Sequence, residues 1–111
     1  MCGLSGFYCP SGFQSRDGIK LARKMANAIT HRGPDDSGEW VDGDAGIALG
    51  HRRLSILDLS DAGHQPMISQ SGRFVLVFNG EIYNHLELRK KIDSFDNVSW
   101  NGHSDTETLL A

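Results

Sequence analysis

Met1-Cys2-Gly3-Leu4-Ser5-Gly6-Phe7-Tyr8 sets a thiol at the head of a short apolar run punctuated by two glycines. Leu4 and Phe7 in such a run predict a strand whose backbone another segment approaches closely, with Cys2 at its start. Once Met1 is removed, the α-amino group and the thiol lie on one residue. An unperturbed α-amine titrates at about 7.7–8.0 and a thiol at about 8.5, so a proton passes between them at little cost near neutral pH. A small second residue also simply permits removal of Met1, and position alone does not separate the two readings.

After this strand, Asp17 is a candidate N-cap, and Ile19, Ala22, Met25, Ala26 and Ile29 fall on one helical face that ends near Thr30. His31-Arg32-Gly33-Pro34-Asp35-Asp36 then breaks regular structure, because Pro34 pushes Gly33 out of the helical region. Residues 47–49, 54–59 and 74–78 read as strands of an antiparallel meander. Asn84 with Glu87 gives a capping-box pattern opening a helix over residues 84–93, and Ser104 with Glu107 gives a sharper one ahead of Leu109-Leu110. That last helix reaches Ala111 after barely two turns and reads as truncated. Unpaired edges at residues 74–78 predict self-association of the piece, hence a homo-oligomer as one expectation.

The 111 residues suit one ordinary domain. A net charge of -3, with the 11 basic residues scattered from Arg16 to Lys91, offers no footprint for nucleic acid or an anionic membrane. No apolar stretch approaches the roughly 20 residues of a membrane helix. Residues 1–13 contain no Lys or Arg and three glycines, unlike a secretory signal. A cytoplasmic protein is expected, in which Cys2 and Cys9 stay reduced. The five histidines lack His or Cys partners at metal-ligand spacing, and the glycines lack the spacing of a phosphate loop, so neither a metal nor a nucleotide is expected in this chain.

Phe78-Asn79-Gly80-Glu81-Ile82-Tyr83-Asn84 delivers a side-chain amide and a glycine N–H side by side from the end of an apolar run. Such a donor pair suits a tetrahedral oxyanion, although Asn-Gly after a strand is also a common hairpin turn. Arg53, in His51-Arg52-Arg53-Leu54, presents a planar fork suited to a carboxylate. Glu81 and Asp105 supply carboxylates suited to an ammonium group, or serve as surface and helix-terminal acids.

Taken together and in order, five blocks resemble the glutaminase domain of glutamine-hydrolysing asparagine synthetases. They are Met1 to Gly6, His31 to Asp35, His51 to Asp58, Asn79 to His85, and Ser104 to Glu107. The resemblance implies an α+β fold, the four-layer αββα N-terminal-nucleophile hydrolase arrangement with antiparallel sheets, of which residues 1–111 form only the first part. It implies that Cys2 attacks the amide of glutamine, that Asn79 and the Gly80 N–H hold the oxyanion, and that Arg53 binds the α-carboxylate. Glu81 and Asp105 would hold the α-amino group, and backbone groups near Leu54 and Leu57 would complete the pocket. In that family a further domain, absent from this chain, uses ATP and Mg²⁺ to activate aspartate for the ammonia released. Similar proteins of the same branch amidate sugars in surface-polysaccharide synthesis, and a piece retaining the pocket residues without activity is the remaining alternative.

Overall fold

In a computed structural model that describes residues 1–56 and 58–111, three antiparallel strands form a sheet in the order β1-β3-β2. They are β1 (Gly3–Tyr8), β2 (Asp36–Asp42) and β3 (Ile47–Arg53). The expected first strand is present, whereas β3 runs four residues beyond the apolar core of its run because His51 and Arg52 pair with both neighbours and Arg53 pairs with Asp36 of β2. Sequence pattern gave no sign of β2, whose Ser37-Gly38-Glu39 start lacks apolar alternation. Its place on the sheet comes from the hairpin to β3, where Trp40 lies opposite Leu49. That hairpin turns at Gly46, which has a φ of 73°. There a Cβ would run into the carbonyl of Cys9, so only glycine serves.

Helix α1 (Ser15–Ala28) packs on this sheet through a stripe of very small residues, Gly18, Ala22 and Ala26. Ile19, expected on the buried face, is 37% exposed. The small stripe lets the backbones close up: a Cβ on Gly50 of β3 would stand 3.1 Å from the Ala22 carbonyl. The N-cap is Gln14 rather than Asp17, which instead lies inside the first turn, where its charge complements the helix dipole.

Residues 54–56 and 58–59 do not form the expected strand. Their polar groups find local side-chain acceptors instead of a ladder, a competition that Ser and Asp commonly win. Ser55 N–H donates to Asp35 Oδ2 at 2.8 Å, and both the Ser60 N–H and hydroxyl donate to Asp58 Oδ1. Leu57 lies outside the described residues. A two-stranded sheet follows, β4 (Met67–Ile68) with β5 (Val75–Leu76). The run at 74–78 yields so short a strand in part because the Phe78 N–H is taken by Gln65 Oε1 at 2.6 Å.

Helix α2 (His85–Phe95) starts at Asn84 without a side-chain cap. Helix α3 (Asp105–Leu110) starts with half of the expected box: Ser104 Oγ accepts from the Glu107 N–H at 3.2 Å. Glu107 turns away, to the N–H groups of Asn101 (2.6 Å) and Gly102 (2.9 Å). Arg89 of α2 is buried between these segments. Its guanidinium donates to Thr108 Oγ1 and to the carbonyls of Gly102 and Ser104, at 2.7–2.8 Å, and covers the Trp100 ring at 4.1 Å.

Two consequences are measurable. Arg89→Met should cost about 3–5 kcal/mol in urea unfolding, because it strands two buried carbonyls and the Glu107 carboxylate. A loss below about 1 kcal/mol would make the cluster peripheral. The Asp58 carboxyl is held down at about 2, chiefly by the Ser60 hydroxyl and then by the His103 N–H. A depressed carboxyl stabilises the fold above the ordinary carboxylate range, and that contribution is lost as pH falls from about 4 through about 2. The stability difference between wild type and Asp58→Asn should therefore shrink over that window and stay constant above about pH 5.

Candidate active site

The pairing of Gly3 with Arg52 puts the start of β1 beside the end of β3, and the pairing of Asp36 with Arg53 brings the start of β2 to the same end of the sheet. The residue before β1 and the residue after β3 therefore meet. The Leu54 N–H donates to Cys2 Sγ at 3.2 Å, and the thiol lies 3.5 Å from the Leu54 carbonyl. Arg32 donates to the Cys2 carbonyl at 3.4 Å. The sulfur is thus oriented by the main chain of the residue that directly follows a paired strand. Met1, 73% exposed, stands at the rim of the cavity into which Cys2 faces.

Arg53 is buried at the end of β3. Its fork donates to the Ser60 carbonyl at 2.7 Å and to the Asp58 carbonyl, which uses two of its five N–H groups. The guanidinium lies against Gly63, where any Cβ would overlap it. Asp58, Ser60 and Gly63 thus surround the cation and fix its plane, while Arg53 still lines the cavity. The Asp58 carboxylate holds the same loop to the next segment by accepting from the His103 N–H at 2.8 Å.

Asn79, Gly80 and Glu81 follow β5 and line the same cavity as Cys2. Two contacts set their entry. His51 Nε2 lies 3.3 Å from the Phe78 carbonyl, and since a carbonyl only accepts, Nε2 carries the proton. Burial of this imidazole, 1% exposed, pushes its pKa down, opposed in part by the bond to the Phe78 carbonyl, which favours the charged ring. The Phe78 ring in turn packs on Gly80, where a Cβ would come within 2.7 Å of it. Asp105, buried at the first turn of α3, accepts from the Ile82 N–H at 2.7 Å. It closes the Asn79–Ile82 segment onto α3.

All seven described residues singled out from the sequence line one cavity of about 460 Å³: Cys2, Arg53, Leu54, Asn79, Gly80, Glu81 and Asp105. The eighth, Leu57, lies outside the described residues. A thiol, an amide next to a glycine N–H, one cation and three acids, Asp58, Glu81 and Asp105, are in the lining, a set that suits an amino acid carrying its own α-carboxylate, α-ammonium and a side-chain carbonyl. Gln65, Gly63 and Thr106 also line it, and sequence reading missed them. Gln65 lies in a polar stretch without periodicity, and nothing short of the tertiary structure marks it.

A family model described as "Glutamine amidotransferase domain" matches residues 1–111. Asparagine synthetase [glutamine-hydrolyzing] 1 of Bacillus subtilis is 40% identical over 112 residues, covering 100% of this chain and 17% of that protein. Asparagine synthetase [glutamine-hydrolyzing] 2 of the same organism is 40% identical over 111 residues, covering 99% of this chain and 14% of that protein. Amidase chry2 of Gibberella zeae is 34% identical over 119 residues, covering 100% of this chain and 17% of that protein. The chain spans about a fifth or less of the length of these curated relatives. With the match running from the first residue to the last, the chain belongs to the glutamine amidotransferase domain family.

Proposed function

We propose that this domain hydrolyses glutamine to glutamate and ammonia, with Cys2 as the nucleophile after removal of Met1. The observation that carries this reading is the convergence of Cys2, Arg53, Asn79, Glu81 and Asp105, from well-separated stretches of chain, on one cavity. Arg53 takes the α-carboxylate on the free part of its fork, Glu81 and Asp105 take the α-ammonium, and backbone groups of Leu54 steady both thiol and substrate. The thiol adds to the side-chain carbonyl, its proton passing by way of the Cys2 α-amine to the leaving nitrogen. The oxygen, negative in the tetrahedral intermediate, is held by the Asn79 amide and the Gly80 N–H. Collapse expels ammonia and leaves a γ-glutamyl thioester, and water, deprotonated by the same amine, releases glutamate and restores the thiol.

The names of the Bacillus relatives support a fuller reading, in which the ammonia amidates aspartate in an ATP- and Mg²⁺-dependent domain beyond residues 1–111. The cavity lining fits an amino acid, and every step above is carried by side chains and backbone groups of residues 1–111. The antiparallel sheet with α1 on one face supports assignment to the four-layer αββα arrangement, residues 1–111 supplying its first part. Two free cysteines support a cytoplasmic setting.

The test is glutamine turnover in the protein as its gene encodes it, with intact mass to fix the N-terminus. Wild type should begin at Cys2 and release glutamate; Cys2→Ala should release none while still binding glutamine. Quantitative retention of Met1 in active protein would contradict the amine's role. Asn79→Ala should lower kcat by about 10²- to 10³-fold, because an oxyanion exists only along the reaction path. Arg53→Lys should instead raise KM by about tenfold or more, since the α-carboxylate is charged throughout. The reverse pattern would exchange these two roles.

A further inference from the structure

Gln65 is 5% exposed, lines the cavity, and has both ends of its amide engaged. Its Oε1 accepts from the Phe78 N–H at 2.6 Å, and its Nε2 donates to Thr106 Oγ1 at 3.2 Å. The orientation is unambiguous, because a backbone N–H can only donate and must face the amide oxygen. Phe78 immediately precedes Asn79 and Gly80, and Thr106 immediately follows Asp105. One planar side chain therefore spans the cavity wall between the segment that carries the oxyanion donors and the helix that carries an ammonium acceptor.

We propose that Gln65 is a positioning residue that sets the separation between the reacting end and the α-ammonium end of the glutamine pocket, an inference that rests on the glutaminase reading above. The short apolar strand β5 ends two residues before Phe78, so no ladder bond holds Phe78 in place. Helix α3 has only 6 residues and depends on side-chain contacts for its position. His51 grips the carbonyl side of Phe78 and Asp105 grips Ile82. Gln65 adds the direct link between Phe78 and α3. A glutamine substrate has a fixed distance from Cα to its amide carbon, so a pocket whose two ends drift apart by about 1 Å loses on the order of 10²-fold in rate. Apolar replacement also leaves the Phe78 N–H buried and unpaired, which drives the segment to seek water and move.

The experiment compares wild type with Gln65→Met and Thr106→Val in the complete protein, with activity expressed per active site counted by labelling Cys2 with an electrophilic glutamine analogue. Met keeps the volume of Gln and removes both hydrogen bonds. Per labelled site, Gln65→Met should lose at least about tenfold in kcat and raise KM as well. Thr106→Val frees only the helix side and should raise KM by a larger factor than it lowers kcat. Gln65→Glu keeps an acceptor for the Phe78 N–H and can accept from a reoriented Thr106 hydroxyl, so it should recover more of kcat than of KM, the added charge opposing the substrate carboxylate beside Arg53. Fewer labelled sites with wild-type kcat and KM at each would make Gln65 merely structural and overturn the proposal, as would a Gln65→Met enzyme indistinguishable from wild type. Absence of glutamine turnover in wild type would overturn the glutaminase reading beneath it.

Discussion

The antiparallel register of β1 on β3, Gly3 opposite Arg52, is the constraint on which the site depends. Because side chains alternate along a strand, a slip of one residue would move Cys2 away from the Leu54 N–H and turn Gly3, Ser5 and Phe7 to the wrong faces. Two close approaches guard the register. A Cβ at Gly6 would stand 2.7 Å from the Ala48 carbonyl, and one at Gly3 would stand 2.9 Å from Ile29 Cδ1 of the residue after α1. The glycines that punctuate the first strand are therefore sites where another backbone or helix end comes close, which holds the residue before the strand, Cys2, firmly in place.

Little apolar bulk stands behind this arrangement. Among the described residues the fully buried hydrophobic side chains are Ala22, Ala26 and Ala48, while His51, Arg53, Asp58, Gln65, Arg89 and Asp105 are buried and polar. The site is built by polar struts between segments: Asp58 to His103, His51 and Gln65 to Phe78, Asp105 to Ile82, Arg89 to the carbonyls of Gly102 and Ser104. Hydrogen bonds specify direction and length in a way that apolar contact does not, which suits a pocket that must match one small molecule at both ends. They also make each strut costly to break, because its partner is left buried without water. The large apolar residues that would ordinarily fill a core, among them Phe74, Phe95, Leu86 and Leu59, stand at 57–91% exposure.

Local chemistry explains which parts the sequence made legible. Residues 3–8, the Ser104 cap and the body of α1 follow from glycine punctuation, a hydroxyl acceptor and a 3.6-residue period, all of them near-neighbour effects. Cys2, Asn79-Gly80 and Arg53 stood out in the sequence by their functional groups, and the structure brings them to one cavity. Strand β2 was not legible, because its pairing is imposed by β3 and the Gly46 turn, and Asp36 to Glu39 offer no strand preference ahead of Trp40 and Val41. Residues 54–56 and 58–59 form no strand for the opposite reason: their apolar residues suit one, but Arg53 draws the Asp58 and Ser60 carbonyls inward and Asp35 takes the Ser55 N–H. Gln65 and Arg89 were invisible because their meaning lies wholly in partners 13 to 41 residues away.

The central claim is covalent, and it is tested by what is attached to the thiol during turnover. Wild-type protein mixed with glutamine, quenched in acid within the first turnovers and digested, should yield an N-terminal peptide carrying one γ-glutamyl group on Cys2, sensitive to hydroxylamine as a thioester is. Glutamate release from a protein whose Cys2 peptide stays unmodified at every quench time, or a glutamyl adduct found on Cys9 instead, would contradict it.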